Sequence, residues 1–338
     1  MTTCRRLLVA TTVLTMAMGA AAPSSWSQSE PAPGEEVVHS WALAPVGSAD
    51  PGQAGNRPNL SYEADPGAEL TDGVTLFNYS NVQLTFRIYA TDAFNNASGE
   101  FDLLATGEEP KDVGSWITLP QANITVPAQS QATLPITIKV PADARAGDHA
   151  GAILASSEAA STAPDGKIVT LDRRTGSRVY IRVAGPLEPE LAIENVKTTY
   201  TPALNPLGGT AKVSYRIQNR GNVRLGGAHS VSISGPFGTF TKRVAVKDLT
   251  ELLPGEAVTL HATFDDMPAT ALAFTKVRLE PSSGDGAQEL STVSRRGIGL
   301  APPITLILLT LAAWLALRAR RAYRRHQGEE RQLEVQPT

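Results

Sequence analysis

The sequence predicts an all-β chain: two tandem Ig-like β-sandwich domains followed by one C-terminal transmembrane helix. Three observations lead there. Short segments alternating apolar and polar residues recur between Gly, Pro and Asn roughly every ten residues, the rhythm of a sandwich or barrel. No segment between the N-terminal apolar run and Ile298 sustains a 3.6-residue apolar period. Finally, Ile298–Leu317 (IGLAPPITLILLTLAAWLAL) is 20 residues without a charge, which at helical rise spans about 30 Å of hydrocarbon.

The N-terminus has the three parts of a secretory signal over residues 1–22. Arg5 and Arg6 are followed by the apolar run Leu7–Ala22, which closes on the small residues Gly19, Ala20, Ala21 and Ala22. The competing reading, an uncleaved anchor, suits the short run less well. Cys4 precedes the run, where it cannot serve as a lipidation site, so the mature chain is expected to carry no cysteine. A secreted eukaryotic domain would often carry disulfides. Their absence points to a bacterial surface protein held together by core burial. Residues 23–35 are Pro/Ser-rich and read as a disordered linker.

The first β domain is expected over 36–186. Its candidate strands are Val74–Phe77, Leu84–Tyr89, Asn123–Val126, Ala132–Val140, Lys167–Leu171 and Arg178–Val183. A stiff linker is read at Gly185-Pro186-Leu187-Glu188-Pro189. The second domain, 187–294, has candidates Leu191–Val196, Ala211–Gln218, Ser230–Ser234, Phe240–Val246, Ala257–Phe264 and Phe274–Glu280. The halves share a plan: a Pro/Gly turn, a strand, an Asn pair three residues apart (Asn78 and Asn81; Asn219 and Asn222), then another strand. Asn caps backbone groups and tolerates left-handed conformations. The pairs therefore read as duplicated β-bends, with a ligand-binding role as the alternative.

At the far end, Pro302 and Pro303 sit where a helix start tolerates them, and Trp314 lies where a membrane interface would be. The tail 318–338 holds six Arg and three Glu, while only Arg295 and Arg296 flank the other side. That asymmetry places the C-terminus in the cytoplasm and the N-terminal domains outside a single-pass cell membrane. The basic tail suits anionic lipid headgroups. Residues 7–317 carry 22 basic and 30 acidic groups, so a nucleic-acid partner is not expected.

No catalytic constellation is legible. His39, His149, His229, His261 and His326 show no metal-ligand spacing, and neither H-E-x-x-H nor G-x-S-x-G occurs. Glu108-Glu109 and Asp265-Asp266 sit in turn-like surroundings. The stretch Asp92–Asp102 lacks the alternating oxygens of a calcium loop and reads as a hairpin with Gly99 at positive φ. The Asn-x-Ser/Thr sequons at Asn78, Asn96 and Asn123 are accidental in a bacterium. No catalytic, cofactor-binding or metal-binding residue is assigned, and no cofactor is expected.

The most specific segment is Trp116-Ile-Thr-Leu-Pro120 followed by NITVPAQSQATLPITIKVPADARAGDHAGAILASSE, residues 123–158. Two strands lead to Val140-Pro141, then a turn through Gly147-Asp148-His149-Ala150-Gly151 into apolar Ala152–Ala155, with both glycines permitting the return. This order resembles the peptidoglycan-binding domain of the WxL-interacting protein family, surface proteins of Gram-positive bacteria. Tyr62–Leu70 with Asp65-Pro66-Gly67, and Tyr89–Ala93 running on to Gly99, fit it too, so the resemblance covers about 36–186. The second half, with Asn219–Val223 and Phe237-Gly238, looks like versions from high-GC relatives.

The resemblance implies peptidoglycan or other wall-glycan binding by the first domain. It also implies contact of the second with a WxL-domain protein, another surface protein or host matrix. It carries over no ligand-binding residue. Asp148 and His149 read either as glycan contacts or as turn residues. Trp41 and Trp116 read either as a sugar platform at a sheet edge or as core. The expected function is therefore non-catalytic wall binding with presentation of a second β domain. A structural spacer without glycan affinity is the alternative, and a wall-glycan hydrolase the third reading.

Overall fold

A computed structural model describes residues 37–47, 57–162, 168–203, 208–268, 272–283, 291–300, 307–308, 310–321 and 323. The expected signal peptide, the 23–35 linker and residues 324–338 of the tail lie outside the described residues.

The architecture is all-β. In the N-terminal half the strands are β1 (Trp41–Pro45), β2 (Leu60–Ala64), β3 (Glu69–Asn78), β4 (Leu84–Asn95), β5 (Phe101–Leu103), β6 (Ile117–Thr118), β7 (Asn123–Val126), β8 (Ser130–Lys139), β9 (Gly147–Thr162) and β10 (Ile168–Val183). One sheet runs β1-β3-β8-β6, and the other runs β2-β10-β9-β4-β5 with β7 beside β4. All pairings are antiparallel except β10 with β2. The core lies between the sheets, because apolar residues alternate inward on both. Leu76, Ile136 and Ile138 from the first meet Phe86, Ile153 and Ile181 from the second, all buried. Each such side chain contributes about 1.5–3 kcal/mol on leaving water.

The C-terminal half has β11 (Leu191–Thr201), β12 (Gly209–Asn219), β13 (Leu225–Ser234), β14 (Lys242–Ala245), β15 (Leu249–Leu252), β16 (Ala257–Met267), β17 (Leu272–Ser283) and β18 (Val293–Leu300). Sheets β11-β12-β16 and β14-β13-β17-β18, the latter with β15 beside β13, enclose a second core around Tyr215, Ile217, Phe264, Ile233 and Val277.

The two Asn pairs do the same work in each half. Asn78 Oδ1 accepts the Ser80 N–H, and its Nδ2 donates to the carbonyls of Val82 and Val126. Asn219 Oδ1 accepts the Gly221 N–H, and its Nδ2 donates to the carbonyls of Val223 and Leu252. Trp41 pairs with Asn78 as Leu191 pairs with Asn219. The second Asn receives the incoming chain: Asn81 Oδ1 accepts Val38 N–H and Asn222 Oδ1 accepts Glu188 N–H, each three residues before its strand. Both first Asn side chains are buried and hydrogen-bonded on both ends, as β-bend residues are.

Several expectations need correction. Strand β18 runs through Leu300, past the expected 294 boundary, and takes the first three residues of the expected membrane helix. Residues 307–308 and 310–321 are helical, but among the described residues no helix is long and apolar enough to cross a membrane. Gly147 does have φ +119, whereas Gly151 lies inside β9. There a Cβ would meet the Thr91 carbonyl oxygen at 2.6 Å and Val113 Cβ at 3.0 Å, so its role is close packing and not a turn. Candidates Lys167–Leu171 and Arg178–Val183 are parts of one strand, apart from Lys167, which lies outside the described residues.

Candidate functional site

The halves are packed together and not merely tethered. Asn222 clamps the junction: its carbonyl accepts the Asp148 N–H at 2.7 Å, and its Nδ2 donates to the carbonyls of Ala146 and Pro186. On the other side, Asn95 Oδ1 accepts the Leu253 N–H and Nδ2 donates to the Glu251 carbonyl, both at 2.8 Å. The positive-φ turn at Gly99 packs on Val258.

Asp148 sits at the centre of this junction with its side chain 4% exposed. Arg182 donates to it through Nε at 2.6 Å and Nη2 at 3.0 Å, a two-point grip, and the Arg224 N–H adds a third bond at 2.9 Å. Arg224 also reaches Glu251 at 3.1 Å and lies 3.9 Å above the Tyr180 ring. Burial, with the charge of Glu251 to which Tyr180 Oη donates, raises the phenol pKa. The Asp148 carboxylate thus ties β9 to β10 through Arg182 within the first sandwich, and reaches the second sandwich through Arg224. It is the pin between the two sandwiches.

Beside this pin opens a cleft of about 780 Å³. One wall is the loop 141–146, the start of β9 and the single helical turn α1 (Val113–Trp116) with its approach; the other is the Gln218–Asn222 bend and the Leu253–Glu256 turn. Asp92 builds the first wall, since its carboxylate accepts the N–H groups of Lys111, Asp112 and Gly114 at 2.6–2.8 Å. Those oxygens therefore face backbone N–H groups. Among the described residues no group of three or more His, Cys, Asp or Glu is placed to hold a metal.

His149 lies in the cleft wall, 4.8 Å from the Trp116 ring. Its Nδ1 faces the Asp112 carboxylate at 2.7 Å and its Nε2 faces the Arg145 carbonyl at 2.9 Å. Burial pulls the imidazole pKa down, but those acceptors and the charge of Asp148 outweigh it, and the pKa is raised. Both partners only accept, so the doubly protonated ring satisfies both. Across the cleft, burial raises the Glu256 carboxyl above its ordinary value.

Of the two tryptophans singled out from sequence, Trp116 is buried at the cleft and Trp41 is half-buried against Phe86, its indole N–H on the Ala155 carbonyl. Neither forms an exposed platform. Lys111, Arg145, Arg220 and Asp143 are the exposed charged groups around the opening. Lys111 and Arg145 put cations on one wall, while Arg220 on the other is ion-paired with Glu194, and the polar surface suits hydroxyls, amides and carboxylates. Sequence reasoning reached Asp148 and His149 but missed Asp112, Arg182 and Arg224, which no local motif marks.

Comparison with known proteins adds the following. Residues 61–157 match the family model described as WxL Interacting Protein, peptidoglycan binding domain, the family that the sequence resembles. No curated protein matches. Among solved structures, a chain from a chaperone–tip adhesin complex of CFA/I fimbriae is similar at 11% identity and TM-score 0.38, over 76% of this chain and 98% of that one. The class 5 fimbriae chaperone CfaA is similar at 11% identity and TM-score 0.37, over 71% and 96%. The CupB2 chaperone of Pseudomonas aeruginosa is similar at 13% identity and TM-score 0.31, over 71% and 97%.

Proposed function

We propose that this chain is a cell-surface protein, anchored in the membrane by its C-terminal apolar run, whose N-terminal half binds peptidoglycan without cleaving it. The observation that carries the reading is the match of residues 61–157 to a peptidoglycan-binding domain. That stretch supplies one whole wall of the cleft, from Lys111 to Trp116 and from Pro141 to Ala150. Wall polymer offers sugar hydroxyls, acetamido groups and peptide carboxylates. Exposed Lys111 and Arg145 complement the last of these. Net gain per exchanged hydrogen bond is small, and a tethered protein compensates through high effective concentration of polymer.

Export and anchoring are supported by the tripartite pattern of residues 1–22, by the uncharged stretch 301–317 and by the arginines after it. The second sandwich is proposed to meet a surface-protein partner, a WxL-domain protein in keeping with the family's name. The spacer reading draws on the hydrogen-bonded junction between the two halves.

Co-sedimentation of residues 36–300 with purified peptidoglycan tests the binding reading, run beside a reducing-end assay. Sedimentation lost in Lys111→Ala/Arg145→Ala supports it. Sedimentation no greater than a control protein favours the spacer. Release of reducing ends that Glu256→Gln abolishes would replace binding with hydrolysis.

A further inference from the structure

The end of the second sandwich from which the chain leaves Leu300 is apolar at its tip and basic behind it. On the outward face of the β14-β13-β17-β18 sheet, Leu272 pairs with Leu300 and Phe274 with Ile298. All four are exposed, Ile298 by 65% and Leu300 by 78%. The turn that follows β13 closes the same end, because Ser234 pairs with Phe274. It presents Phe237, fully exposed at φ +58, and Phe240, exposed at φ +52. Positive φ is unfavourable for a bulky residue, and neither ring is repaid by burial within the chain. The next row inward on that face is basic: Arg243 and Lys276 flank Ser232, and Arg296 pairs with Lys276, all three exposed.

We infer that this tip docks on a lipid surface, with the Leu272–Phe274–Ile298–Leu300 patch and the Phe237/Phe240 turn in the headgroup region and Arg243, Lys276 and Arg296 against anionic phosphates. Two observations select lipid over a protein partner. The patch surrounds the residue at which the chain leaves the sheet, and the next 17 residues, 301–317, carry no charge and run into Arg318, Arg320 and Arg321. The order apolar tip then basic row reproduces the order acyl boundary then phosphate. The inference rests on the membrane-anchored reading and adds to it a fixed orientation: the sandwich stands on the bilayer and holds the cleft at a set height.

The test uses the full chain carrying Cys4→Ser, reconstituted in phosphatidylglycerol/phosphatidylcholine vesicles. Single spin labels are placed at Phe274→Cys, Ile298→Cys, Ala228→Cys and Leu311→Cys, and their collision with oxygen and with a water-soluble nickel chelate is compared. The expected result is a shift at 274 and 298 from nickel-accessible to oxygen-accessible on going from detergent to vesicles, with 228 remaining nickel-accessible. Labels at 274 and 298 that stay nickel-accessible while 311 is oxygen-accessible would overturn the docking and leave the anchor standing. Nickel access at 311 as well would overturn the anchor itself. Labels at 274 and 298 shielded from both reagents already in detergent would mean a second copy or another protein covers the patch, which also overturns lipid docking.

Discussion

Replacing Asp148 by Ala should destabilise the first sandwich where β9 meets β10 and loosen its junction with the second at Arg224. The carboxylate is 4% exposed and accepts three hydrogen bonds, two from Arg182 and one from the Arg224 backbone. Removing one partner of a buried ion pair costs about 3–5 kcal/mol. Arg182 keeps 23% of its side chain in solvent and can recover some water, so the lower end applies, about 3 kcal/mol. For a protein of this size that is a fall of roughly 6–12 °C in Tm. The assay is urea and thermal unfolding of residues 36–300, with hydrogen exchange at 220–224 as a local readout. Asp148→Asn, which keeps the shape and loses the charge, should fall between wild type and Ala. A loss of under about 1 kcal/mol for Asp148→Ala, the range of a surface pair, would refute the burial argument, and unchanged hydrogen exchange at 220–224 would refute the claim that this contact pins the halves.

Three further outcomes follow from the same geometry. Gly147→Val should destabilise by at least about 1 kcal/mol from its positive φ alone, and more because a Cβ there meets the Asn222 carbonyl; an unchanged melting temperature would contradict this. Because the folded pKa of His149 is raised, its protonation stabilises the fold fully below the unfolded value of about 6.5 and that contribution is lost as pH rises through the folded pKa. The stability advantage of wild type over His149→Gln should therefore be larger at acid than at alkaline pH, and an advantage that grows with pH would overturn the assignment. Tyr215 Oη is buried without a hydrogen-bond partner among the described residues, so Tyr215→Phe should raise stability by about 1 kcal/mol, read as a higher urea midpoint.

Strands with clean alternation over a buried face, such as Leu84–Tyr89 and Ala211–Gln218, were legible because a period of two reports one-sided burial directly. The β9–β10 hairpin was not, because Asp172-Arg173-Arg174-Thr175-Gly176 reads as a turn while forming ladder opposite Ser157 and Ala155. β2 escaped notice because it is five residues long and pairs in parallel with β10, more than a hundred residues away. At Ile298–Leu300 the difficulty was physical: exposed apolar residues on an edge strand and the start of an apolar helix give the same local signal. The Asn pairs were readable because the first Asn of each caps its own bend, Asn78 on Ser80 and Asn219 on Gly221, although their other bonds reach distant strands. The Asp148–Arg182–Arg224 grip was not, since Asp148 meets Arg182 only through the β9–β10 register and Arg224 only through the docking of the halves.

The central claim is that the cleft-bearing N-terminal half holds wall polymer without reacting with it. Its most direct measurement is co-sedimentation of residues 36–300 with purified peptidoglycan, ending at Leu300 because truncation at 294 would remove most of β18. The account predicts saturable sedimentation, reduced in Lys111→Ala/Arg145→Ala although both side chains are exposed and their loss leaves Tm unchanged, and no reducing ends released. Sedimentation equal to that of an unrelated soluble protein, or reducing ends accumulating with time, would contradict it.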